Sequence, residues 1–118
     1  ASAPPPAPPA PLSGPEAEAR AHFERGLALV NQARWADAAV ELEAARAIHA
    51  VPAIHFNLGV AYRALGRNLR SIEAFRAYLA MFPAGTEVPR ASEVQTFLTE
   101  LTRLLGHLQF EFIPQQQR

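Results

Sequence analysis

Apolar residues return every three or four positions through most of this chain, and the runs are separated by proline, glycine and small polar clusters. Ser13-Gly14-Pro15-Glu16 reads as a capping box with proline at the first helical position, and Phe23, Gly26, Leu27, Val30 and Ala33 carry the helical period to about Asn31. Trp35 opens a second amphipathic stretch, with Ala38, Ala39, Leu42, Ala45 and Ile48 on one face, ended by Ala50-Val51-Pro52. A third helix starts at Pro52, carries Ile54, Phe56, Leu58, Val60, Ala61 and Tyr62, and stops at Gly66. Asn68 is the expected cap of a fourth, whose buried stripe is Ile72, Phe75, Tyr78, Leu79 and Phe82 before Pro83-Ala84-Gly85. Ser92-x-x-Gln95 is a further capping box, and Val94, Phe97 or Leu98, Leu101, Leu104 or Leu105, and Leu108 predict a fifth helix of about four turns that covers the open apolar face of the second pair. The period then changes. Leu108-Gln109-Phe110-Glu111-Phe112 alternates apolar with polar, which predicts a β-strand ended by Pro114.

Two of these stretches spell nearly the same pattern. His22-Phe23-x-x-Gly26-x-Ala28, with Arg34, Ala44 and Ala47 beyond, reappears 33 residues later as His55-Phe56-x-x-Gly59-x-Ala61, with Arg67, Ala77 and Ala80. Self-similarity at such a period marks helical units that each bury a face only by stacking on a neighbour, an architecture that builds binding surfaces. The expected fold class is therefore all-α: two helix hairpins and a capping helix over residues 13–107, a Pro-rich arm over 1–12, and a strand-like tail over 108–118.

The repeats resemble the tetratricopeptide repeat (TPR). The second unit carries the motif at Leu58-Gly59, Tyr62, Gly66, Ser71, Phe75, Tyr78 and Pro83, and the first at Gly26, Trp35, Ala38, Leu42 and Ala45. Ala33 stands where the motif has its corner glycine, Asn68 where it has the corner aromatic, Ala50 where it has the proline, and the period is one residue short. The resemblance covers residues 16 to 83 and implies a groove, lined by the first helix of each pair, that holds a partner protein. Carried over, that face is Arg20, Phe23, Glu24, Leu27, Val30 and Asn31 with Ala53, Phe56, Asn57, Val60, Arg63 and Ala64. Asn57 matches an asparagine that the family uses to hold a ligand backbone. Phe23 and Leu27 stand where chaperone-binding members clamp a terminal carboxylate with lysine and asparagine, so the expected ligand is an amphipathic helix or an apolar extended segment. The competing reading makes Phe23, Leu27, Phe56 and Val60 core, covered by the arm or by another copy.

Composition narrows the function classes. Eleven arginines balance eleven acids and there is no lysine, so the positive field that nucleic acid or an anionic membrane demands is missing. Without cysteine there is no thiolate metal site or Cys nucleophile, and four serines with a single aspartate form no nucleophile and base constellation, so the expectation is no enzyme and no cofactor. His22 and His55 occupy equivalent places, but helix-borne zinc ligands sit four residues apart, so both are expected to pack rather than bind metal. Seven of the eleven prolines fall in the first 15 positions and predict an extended spacer or a ligand for an aromatic groove.

The small-residue start Ala1-Ser2-Ala3 suggests either cleavage after export or a trimmed boundary. Gly106-x-Leu108-x-Phe110-x-Phe112 resembles the opening of the small β domain called PEGA that follows TPR-like helices in bacterial envelope proteins. A lone strand needs a partner, so Leu108, Phe110 and Phe112 are expected to add to another sheet edge or to lead into a continuing chain. These resemblances imply an adaptor of the bacterial envelope or periplasm, with a cytoplasmic location as the alternative. They also allow a structural subunit whose arm and strand wrap neighbours or join it into an oligomer.

Overall fold

Pro15, a residue that cannot donate a helix hydrogen bond and does not need to at the first position, opens α1 (Pro15–Asn31). Four more helices follow: α2 (Trp35–Ile48), α3 (Pro52–Ala64), α4 (Asn68–Ala80) and α5 (Ala91–Gln116). The structure, a computed structural model, describes the backbone of residues 14–116 and the side chains of 14–106. The expected arm over 1–12 lies outside the described residues. Among those described, the chain is all-α with five helices and no strand.

The 33-residue repeat is written into the backbone at the corners. After α1, Ala33 takes a positive φ of 57°, its N–H bonds Val30 O at 2.9 Å, and Arg34 N–H bonds Leu29 O at 2.9 Å. After α3, Gly66 takes φ 77°, its N–H bonds Arg63 O at 3.1 Å, and Arg67 N–H bonds Tyr62 O at 2.9 Å. Both are Schellman closures, which satisfy the last carbonyls of a helix by one left-handed residue. Arg34 and Arg67 then lead into the next helix with matching φ near −90° and ψ of 74°.

The caps differ from those expected. Gly14, at φ 63°, precedes α1 and makes no side-chain cap bond, and Ser13 lies outside the described residues. Asn68 is the first residue of α4 and Arg67 the cap, because the Schellman corner fixes where the next helix starts. Ser92 falls inside α5, whose first turn is set by Arg90 at φ 59°, its guanidinium bonded to Glu93 at 2.9 and 3.1 Å.

Two buried clusters hold the hairpins together. One joins α2, α3 and α4 through Leu42, Ala45, Ile54, Leu58, Ala61, Tyr62 and, from α4, Ala74. The other joins α3, α4 and α5 through Phe56, Ile72, Phe75, Tyr78, Val94 and Leu101. Each hairpin crosses at a glycine: a Cβ on Gly26 would meet Leu42 at 2.8 Å, and one on Gly59 would meet the Phe75 ring at 2.6 Å. Those pairs are again 33 residues apart. So are Ala38 and Ser71, both fully buried, and the Ser71 hydroxyl donates to Gly59 O at 2.7 Å.

The tail corrects the expectation of a strand. The backbone of Leu108, Phe110 and Phe112, expected as the strand, continues α5, and no strand is present among the described residues. The physical reason is that a helix pairs its own N–H and C=O groups, whereas a strand without an edge partner leaves them unpaired. Leu101, Leu105, Leu108 and Phe112 also keep the helical spacing of three and four, so the segment was ambiguous in period.

Candidate functional site

The inner face of α1 and the start of α3 enclose an apolar cavity of about 630 Å³. Phe23 and Leu27 form one wall; Ile48, Val51 and Ile54, from the end of α2 and the Pro52 junction, form the other. The junction is extended at His49 and at Val51, which as the residue before Pro52 avoids helical backbone, and this sets α3 beside α1 with a gap at their N-terminal halves. At the rim Arg20 Nε donates to Glu24 Oε1 at 3.2 Å, and both side chains are well exposed. The arrangement offers an apolar floor for side chains and charge of both signs at its edge. It contains no nucleophile and base pair.

Of the groove residues expected from sequence, this cavity gathers Arg20, Phe23, Glu24 and Leu27. The others lie elsewhere. Val30 packs on the first core cluster. Phe56 is 6% exposed, edge-on to Phe75 and Tyr78 at 5.8 and 5.5 Å, with the Arg90 guanidinium 4.1 Å above its ring. Val60 packs on the second cluster. Asn57 spends its amide on Ala53 O at 2.8 Å. Arg63 bonds Glu100 of α5 at 2.9 Å and lies 4.7 Å over Phe97.

The face therefore divides by repeat. On α3 it is met by α5 and by the loop before it, which Tyr78 anchors by donating to Pro89 O at 2.6 Å. On α1 no element among the described residues covers it. The loop's part in covering Phe56 had no signal in the helical period, since Arg90 lies between elements.

The two equivalent histidines have different surroundings. The Glu41 carboxylate accepts from His22 Nδ1 at 2.8 Å and from Arg25 Nε at 3.2 Å, and the histidine bond, ahead of the arginine, holds its carboxyl below the ordinary value. His55 Nδ1 is buried without a hydrogen-bond partner, and burial, with Arg46 nearby, pushes its imidazole below the ordinary value.

No protein-family model, no curated protein and no solved structure matches the chain. Among the described residues no helix is long and apolar enough to cross a membrane.

Proposed function

We propose that this chain is a TPR-like adaptor that binds a partner protein on the open face of α1, rather than a catalyst. The observation that carries the reading is the apolar cavity of about 630 Å³ at Phe23 and Leu27 with the Arg20 and Glu24 pair at its edge. Such a surface suits a segment that presents apolar side chains at helical spacing between charged flanks. The closure of the α3 face by α5 confines the site to the first repeat, so Phe56, Val60 and Arg63 stabilise the stack while Phe23 and Leu27 meet the partner.

The test is co-precipitation from an extract of the source cells with the full chain, its Leu27→Glu variant and its Arg76→Glu variant. Leu27 lines the cavity at partial exposure, whereas Arg76 is exposed on α4. A bound protein lost with Leu27→Glu, kept with Arg76→Glu, and helicity equal in all three by circular dichroism is the expected result. Retention by Leu27→Glu contradicts the assignment.

A further inference from the structure

The covered face of the second repeat is a template for what the uncovered face of the first receives. α5 runs beside α3 in the same direction: Arg90, just before α5, stands 4.1 Å over the Phe56 ring, and Glu100, about three turns on, meets Arg63 near the end of α3 at 2.9 Å. Between those points Val94 and Leu101 are buried in one cluster with Phe56 and Phe75, and Phe97 and Leu98 pack against it. The occupant of this face is thus a helix with a cation before its first turn and apolar residues at the spacing of Val94, Phe97 or Leu98, and Leu101.

Shifted back by 33 residues, Phe56 and Val60 become Phe23 and Leu27, and no element among the described residues lies on them. The surroundings of the ring change with the shift. Asn57 becomes Glu24 and His49 becomes Glu16, both exposed at the cavity, while Ala53 becomes Arg20 and Arg63 becomes Val30. Arg20 is engaged by Glu24 at 3.2 Å, and Glu16 joins none of the ion pairs among the described residues. Guanidinium groups among the described residues stand over Phe56 and Phe97, and none stands over the half-buried Phe23. The α1 face therefore keeps the aromatic seat for a cation, adds negative charge beside it, and lacks the arginine that on α3 receives a carboxylate.

We infer, resting on the adaptor reading, that the partner presents an amphipathic helix seated on α1 as α5 is seated on α3, with an arginine or lysine before its first turn placed over Phe23 beside Glu16. A cation over an aromatic face is attracted by the ring quadrupole, and the neighbouring carboxylate adds a charge-assisted contact. Apolar residues at the α5 spacing fill the cavity against Leu27 and Ile54. The helix carries no acid at the position of Glu100, because Val30 offers it no cation.

The probe is a labelled synthetic peptide of residues 88–105 with Glu100→Ala, locked as a helix by a covalent link between positions 95 and 99, both exposed on α5. Fluorescence anisotropy with the full chain is expected to show saturable binding, which Leu27→Glu in the chain abolishes at unchanged helicity. Arg90→Glu in the peptide weakens binding on the order of tenfold, and Glu16→Gln in the chain by about two- to fivefold. Absence of peptide binding overturns the helix assignment, while the adaptor reading is judged separately by whether Leu27→Glu loses the co-precipitated protein. Binding that survives Leu27→Glu means that the peptide exchanges with α5 on α3, and it overturns the seat on α1. Affinity unchanged by Arg90→Glu overturns the place of the cation.

Discussion

Ala33 carries a conformational cost that Gly66 avoids. Both close a helix with positive φ, at 57° and 77°, but only the alanine has a Cβ to crowd the neighbouring carbonyl. Ala33→Gly removes that crowding while giving the unfolded chain more freedom, so the expected net gain is about 0.5–1 kcal/mol, read as a raised midpoint in urea unfolding. A second residue-scale consequence concerns His55. Its folded value lies below 6.5, through burial first and Arg46 second, so the unfolded chain binds the proton more readily. Stability contributed by this site is intact above that pH and falls as pH drops through 6.5 toward the folded value. Melting temperatures measured between about pH 7 and pH 5 should decline, and His55→Phe should flatten that decline. Glu41 acts lower on the scale, because its depressed carboxyl loses its bonds only as pH falls through a value below 4.5.

At the scale of the element, the hairpins depend on close approach at one small residue each. A Cβ on Gly59 would stand 2.6 Å from the Phe75 ring, which is fully buried and has no room to move aside. Gly59→Leu should cost about 1–3 kcal/mol, and a melting temperature equal to that of the parent chain would defeat the stacked-hairpin description. The four helices of the repeat were legible in the sequence because Phe23, Leu42, Phe56 and Phe75 recur at helical spacing between strong breakers. Their capping residues were less so. Asn68 has the chemistry of a cap, yet the Schellman bonds of Gly66 and Arg67 place the helix start one residue earlier than that chemistry suggests. Alternation at 108–112 misled for a different reason: Leu108 and Phe112 fit both periods, and only the backbone's need for hydrogen-bond partners chooses the helix. In the groove, Phe23 and Leu27 were readable from the first repeat. Burial of Phe56 depended on α5 and Arg90, contacts made across more than 30 residues of sequence that local pattern does not encode.

At the scale of the molecule, one repeat is closed and the other is open among the described residues. α5 covers the α3 face with Val94 and Leu101, both almost fully buried, while the corresponding face of α1 keeps its cavity between Phe23, Leu27 and Ile54. Neighbouring repeats bury one another's apolar faces, so the uncovered end of such a stack is where foreign surface is taken up. The same face would meet a different protein in the proposed adaptor and a second copy of the chain in a structural subunit. The most direct discrimination is photo-crosslinking in the source cells, with a photoreactive phenylalanine at Leu27 and, as control, at Val40, which is 66% exposed on α2. The account predicts one discrete adduct with a different protein at Leu27 that does not form at Val40. Adducts only between copies of this chain, or the same adducts at both positions, would contradict it.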